Sequence, residues 1–159
     1  MIFEDKFSIN APRQDVWDFL WDTEKMTKCV PGVENVKAES DSIYSFLVKT
    51  KVGFLSANFN VRATILESEA PVRLVSIFEG KDSKIASRVK QRNSMELVEI
   101  SPWETEMRYK SDLTLTGKLA TLGRMVVRAK AKQLMKEFSE TVKKEIEKSV
   151  VVDMSAKEA

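Results

Sequence analysis

Apolar and polar residues alternate one by one along most of the first two thirds of the chain, then give way to a helical spacing. Phe3, Phe7 and Ile9 share one phase of a period-two pattern, so residues 2 to 9 read as a half-buried strand. Asn10-Ala11-Pro12 predicts a helix start, with the amide side chain as cap and proline in the first turn. Val16, Phe19 and Leu20 give that helix its apolar face. A second short helix is expected from Asp22 to about Val30, ended by Pro31-Gly32, because proline removes a ladder donor and glycine accepts positive φ.

From Val33 to Gly117 the alternation repeats, broken at Asp41-Ser42, Gly53, Ala70-Pro71, Lys81-Asp82-Ser83 and Ser101-Pro102, which fits six further strands. In the fourth strand Ala57, Phe59, Val61, Ala63 and Ile65 face one way and Asn58, Asn60, Arg62 and Thr64 the other. The sixth strand turns Val89, Gln91, Asn93, Met95 and Leu97 inward, and the seventh Met107, Tyr109, Ser111 and Leu113. Between about Lys118 and Ser149, Val127, Ala131, Leu134, Phe138 and Val142 fall together on a 3.6-residue wheel, which predicts one long helix. The expected fold is α+β, a single domain over 1–149 followed by a flexible tail over 150–159. In it a curved seven-stranded antiparallel sheet grips the long C-terminal helix, with two short helices after strand one. A helix cannot fill a wide concave sheet, so a ligand pocket between the two is expected.

Charge changes this picture little as a total and more as a pattern. Lys and Arg number 26 against 24 acids, a net charge of +2, which does not nominate nucleic acid as a partner. Histidine is absent, which removes the commonest general base and the commonest transition-metal ligand. The one cysteine, Cys29, excludes an internal disulfide. The N-terminus lacks the basic-then-apolar order of a signal peptide and no apolar run reaches the ~20 residues of a membrane span. A cytoplasmic protein is expected, with peripheral contact at the inner face of the membrane as an extension.

Five fragments carry a family resemblance: Cys29-Val30-Pro31-Gly32-Val33-Glu34, Val52-Gly53, Glu79-Gly80-Lys81-Asp82, Thr105 with Tyr109, and Gly117-Lys118-Leu119-Ala120-Thr121-Leu122-Gly123. Together they resemble the carbon monoxide dehydrogenase G-subunit family, within the START-like (SRPBCC) helix-grip superfamily, from about Phe3 to Ile146. The resemblance implies a non-enzymatic accessory protein of a molybdenum hydroxylase-type dehydrogenase, associated with membrane attachment. It also implies a cavity suited to a lipid or quinone-like molecule, with no cofactor of its own. Phe54 departs from the family pattern, standing where relatives often carry proline. Some longer members extend past the long helix, and without that extension stable anchoring is not expected of this chain.

The inward phases nominate Phe46, Phe59, Val61, Phe78, Met95 and Met107, with Val127, Ala131 and Leu134 of the helix, as an adaptable apolar wall; Met125 is grouped with them. Gln91, Asn93, Ser111 and Tyr109 either orient a ligand's polar head or satisfy one another. The only inward titrating group is Tyr109, joined by Asp5 if that carboxylate follows the phase of Phe3; these two would be the acid and base of a rival START-like cyclase or hydrolase. A third reading is a ligand-free assembly factor with a filled core. No catalytic residue and no metal ligand set is expected.

Residues 118 to 136 contain six cations and no acid, and Arg124, Arg128, Lys132 and Lys136 recur every fourth position. Beside this stripe lies a second apolar set, Leu122, Met125, Val126 and Ala129, which needs either the short helices or an anionic bilayer or acidic partner to cover it. Arg88, Lys90, Arg92, Arg108 and Lys110 form a second basic patch, read as a solvated outer sheet face. Cys29 is read as a small core residue rather than a reactive thiol.

Overall fold

A computed structural model describes residues 1–158, and the side chains of 1–150. The alternating stretches form seven strands: β1 (Ile2–Ile9), β2 (Val33–Ala38), β3 (Ile43–Val52), β4 (Leu55–Glu69), β5 (Arg73–Asp82), β6 (Ser87–Ser101) and β7 (Glu104–Thr116). The helices are α1 (Arg13–Trp21), α2 (Thr23–Cys29) and α3 (Arg124–Glu158). The strands make one antiparallel sheet in the order β1-β7-β6-β5-β4-β3-β2. The first two strands therefore occupy opposite edges, and α1 and α2 carry the chain from one edge to the other. Irregular register at Glu34/Lys37, Ile65/Glu67 and Glu99/Ser101 adds the local bends by which long strands curve.

Two helix starts differ from the sequence pattern. Asn10 does not cap α1: Pro12 occupies the N-cap with no side-chain bond. A tight turn closed by the Ala11 N–H donating to Ile9 O (2.9 Å) sets Asn10 back from the helix, where its own N–H donates to Glu147 Oε1 at 2.9 Å. Asp22 does cap α2, accepting from the Lys25 N–H at 3.1 Å. The long helix begins at Arg124 rather than Lys118, because Lys118–Leu122 form a separate 3-10 turn between Gly117 (φ 82°) and Gly123 (φ 92°). Gly117 is required there, since a Cβ would lie 1.8 Å from Ala86 O. The turn drives Leu119 into the core and lets its N–H donate to Ser87 Oγ at 3.0 Å. At the other end the helical backbone continues to Glu158, past the Ser149 limit of the apolar spacing. The side chains of the expected flexible tail lie, beyond Val150, outside the described residues.

The core divides into two clusters. One joins Ile9, Val16, Trp17, Leu97 and Met107 to Val142 and Ile146 of α3. The other joins Val52, Leu55, Ala57, Phe59 and Val61 to Leu119. Full burial of each aliphatic side chain contributes about 1.5–3 kcal/mol, so each end of the grip is held by its own cluster.

Candidate functional site, an apolar cavity under the long helix

The two clusters leave a cavity of about 540 Å³ between the sheet and α3, with walls drawn from both. That volume lies within the range of small-molecule sites. All the side chains nominated from the inward phases reach it: Phe46, Phe59, Val61 and Phe78 on one side, Met95, Met107 and Tyr109 on the other, with Val127, Ala131 and Leu134 above. Gln91 and Asn93 also line it. Phe46 and Phe78 meet edge to face, with ring centroids 5.9 Å apart. The small Ala63 and Ala131 sit in the wall where larger residues would fill the space.

Part of the wall has no counterpart in the sequence pattern. Trp21, Met26, Val30 and Val36, from the α1–α2–β2 segment, complete the enclosure, with Tyr44 and Val48 of β3. The β3 residues carry a period-two signal that the pattern contained, whereas α2 has seven residues and offers too few turns to define a face. Met125 is the one misplaced member: it is 86% exposed and lies outside the cavity, because the helix turns the phase of Val127 inward and that of Met125 out.

A cluster of the wall's polar groups lies on β6 and β7. Gln91 Nε2 donates to Ser111 Oγ at 3.1 Å, and Ser111 Oγ donates to Asn93 Oδ1 at 2.5 Å. These three satisfy one another in part, as an isolated buried network must. The Tyr109 hydroxyl is left out of that network: it is buried with no partner in ordinary hydrogen-bond geometry, the Asp5 carboxylate being the polar group that acts on it. Burial first, and then the nearby Asp5 carboxylate, push its pKa up to about 12. Asp5 is exposed on the edge strand, but it stands opposite Tyr109 in the β1–β7 register, on the same face, with its carboxylate beside the Tyr109 hydroxyl. Among the described residues Lys130 is the single charged side chain of the wall.

Outside the cavity the charged groups divide clearly. Arg88, Lys90, Arg92, Arg108 and Lys110 all lie exposed on the outer sheet face. There Arg108 pairs with Glu106 at 2.8 Å and Lys110 with Glu4 at 3.6 Å, while Arg92 stands opposite Asp112: a mixed, solvated face. On α3, Arg124, Lys132 and Lys136 are exposed, Lys136 reaching Glu140 at 4.0 Å, and Arg128 lies over the Phe3 ring at 5.2 Å. The outer apolar set is not covered by the short helices; only Leu122 is partly sheltered, beside the Gly53 turn. Cys29 is buried, and burial and then Glu145 raise its pKa, as an inert packing thiol requires. Among the described residues no cluster of acids or cysteine could hold a metal ion, and no helix is long and apolar enough to cross a membrane.

Solved structures of the same shape fix the fold. A conserved protein from Geobacillus kaustophilus superimposes with a TM-score of 0.86 at 19% identity, over 94% of this chain and 97% of that one. The Zhui aromatase/cyclase from a Streptomyces species gives 0.72 at 16% identity, over 94% and 95%. A START superfamily protein from Mycobacterium smegmatis gives 0.69 at 12%, over 92% and 97%. The fold is therefore START-like, as the element order predicts. No curated protein matches the sequence. Residues 6–147 match the carbon monoxide dehydrogenase G-subunit (CoxG) family, a span that takes in the glycine-bounded turn and all of the two clusters and the cavity wall but Val150 and Phe3, and the chain belongs to that family.

Proposed function

We propose that the protein is a non-enzymatic accessory protein that holds one apolar molecule, a lipid or quinone-like compound, in the cavity under α3. The observation that carries this reading is the cavity itself, a mainly apolar space of about 540 Å³ with a hydrogen-bonded polar cluster on β6 and β7. Affinity would come from apolar area removed from water, at about 25 cal/mol per Å². The unpartnered Tyr109 hydroxyl would donate to a carbonyl or hydroxyl of the ligand, with the Asn93 amide beside it. Membership of the CoxG family supports the role of accessory to a carbon monoxide dehydrogenase-type enzyme.

The rival reading, a cyclase, draws on the Zhui aromatase/cyclase of the same fold. It needs a proton donor and a base in the cavity. A phenol held near pKa 12 keeps its proton at neutral pH, and Asp5, though beside that phenol, is solvent-exposed at the sheet edge, so this pair is poorly suited to that chemistry. A filled-core assembly factor is disfavoured by the volume of the cavity.

Native mass spectrometry of gently purified protein, with organic extraction of any bound molecule, tests the proposal. The expected result is a stoichiometric apolar ligand that disappears in Ala131→Trp, whose indole would occupy the cavity. Protein that stays empty after incubation with lipids and quinones would overturn it. So would a ligand retained undiminished in folded Ala131→Trp.

A further inference from the structure

The cavity wall holds one charge and nothing that neutralises it. Lys130 lines the space from α3, half-buried, and among the described residues no aspartate or glutamate lines it. Lys130 forms no ion pair among those residues. Nor does the chain around it offer an acid. Residues 113–136, and residues 43–66 that make β3 and most of β4, contain no Asp or Glu. The helical neighbours of Lys130 three and four positions away, Val126, Val127, Gln133 and Leu134, are all uncharged. Helix geometry gives its direction. Arg128 lies over the Phe3 ring of β1 at 5.2 Å, and two residues further on a helix has turned by about 200°. Lys130 therefore leaves α3 on the opposite flank, toward the β2–β3 edge of the sheet. There α3 meets β3, which supplies Tyr44, Val48 and Thr50 to the wall. The cluster of Gln91, Ser111 and Asn93 lies on β6 and β7, near the other edge, and is uncharged.

From this arrangement we propose that the cavity takes an amphiphile with a single negative charge, a long-chain carboxylate, whose head group pairs with the Lys130 ammonium. The inference rests on the cavity reading of the proposed function and narrows its ligand from any apolar molecule to an acid. A ligand that fills the space displaces water from that side of the ammonium, and a neutral one returns nothing for the lost hydration. A carboxylate returns charge-assisted hydrogen bonds, and the low polarity of the surrounding wall strengthens the attraction. A phosphate monoester carries about 1.5–2 negative charges at neutral pH, and the excess stays unbalanced in an apolar space with one cation. The alkyl chain lies against Phe46, Phe59, Phe78 and Leu134, each methylene removed from water adding about fourfold in affinity. The ion pair adds about tenfold over a neutral head group of similar size, the lower end of the range for a hydrogen bond to a charged group, since Lys130 is only half-buried.

Titration calorimetry of the full chain at neutral pH tests it, with decanoate, 1-decanol and decyl phosphate as probes below their micellar concentrations. The expected result is that decanoate binds about tenfold more tightly than decanol, and more tightly than decyl phosphate. In Lys130→Met, which keeps an unbranched side chain without the charge, the preference for the acid should vanish while decanol binds as before. Lys130→Arg should keep the preference. Equal affinity of the wild type for acid and alcohol would overturn the inference and leave the cavity reading standing, as would an acid preference that survives in folded Lys130→Met. Tighter binding of decyl phosphate than of decanoate would overturn the assignment of a carboxylate. All three probes should lose their site in Ala131→Trp, and decanoate bound undiminished by that folded variant would overturn the inference by placing its head group on the surface. Binding of none of the three by the wild type would strike the cavity reading, and the inference with it.

Discussion

Replacing Tyr109 by phenylalanine should move stability and ligand affinity in opposite directions. The hydroxyl is buried without a partner, while the ring packs edge to face against Phe7 with centroids 6.4 Å apart. Phenylalanine keeps that ring contact and removes the oxygen. An unpartnered buried hydroxyl costs the folded state about 1–3 kcal/mol of lost hydration, so Tyr109→Phe should recover up to that amount. For a chain of this size each recovered kcal/mol raises Tm by about 2–4 °C, measurable by calorimetry on ligand-free protein. The same change removes the donor offered to the ligand and should weaken a carbonyl-bearing apolar molecule by about 0.5–1.5 kcal/mol, roughly two- to twelvefold. A second readout lies at high pH. Because the folded pKa is raised to about 12, the stability linked to the neutral phenol is complete below the ordinary value near 10 and is lost as pH climbs toward 12. Tyr109→Phe should flatten that alkaline limb. A fall in stability of the ligand-free variant by about 1 kcal/mol or more would refute the reasoning, since it would mean that the hydroxyl has a partner in the folded protein, with Asp5 the first to examine.

The buried Asp82 carboxylate accepts backbone N–H groups of Asn58 (2.7 Å) and Lys84 (2.9 Å) at the β5–β6 connection. The Asn58 hydrogen bond first of all holds its pKa below the usual carboxylate range, against the opposing effect of burial. Its stabilisation is therefore present above about pH 4 and lost as pH falls through the depressed folded value. Asp82→Asn should cost about 1–3 kcal/mol at neutral pH in urea unfolding and reduce the acid slope, with the remainder belonging in part to Glu147, whose pKa is also lowered. Gly117→Ala should lower stability by more than about 3 kcal/mol, because the Cβ would meet Ala86 O at 1.8 Å and the residue has φ 82°; soluble, undiminished protein on thermal denaturation would contradict that. Cys29, 1% exposed with its Sγ–H donating to Lys25 O at 3.5 Å, should react with a thiol reagent only as fast as the protein opens, accelerating in denaturant.

Which parts of this molecule could be read from its residues follows from where the controlling forces act. Strand phase is local: Ala57 to Ile65 alternate because one sheet face is buried, so the inward-facing side chains of the wall were legible in advance. The same holds for the 3.6-residue spacing of Val127, Ala131 and Leu134, and for the breakers that separate the strands. The start of the long helix was not, because the spacing of Leu119 and Leu122 fits a helical wheel as well as a 3-10 turn. Only the close approach of Gly117 to Ala86 and the hydrogen bond from Leu119 to Ser87 decide between them.

By itself, then, the sequence determined the order of elements, the inward faces and the absence of imidazole chemistry. Tertiary structure alone decided that the two core clusters do not meet. Whether a concave sheet and a helix close upon each other depends on curvature, on bulges such as Ile65/Glu67 and on the reach of side chains from opposite walls, none of which is encoded in the periodicity of a single segment. Likewise, Gln91, Ser111 and Asn93 bond to one another across strands and leave the Tyr109 hydroxyl outside their network, and Gly53 meets Val126 and Leu122 because a hairpin tip about 70 residues earlier folds beside the start of α3. Contacts between residues far apart in the chain set both, and those are fixed by the closed shape rather than by local pattern.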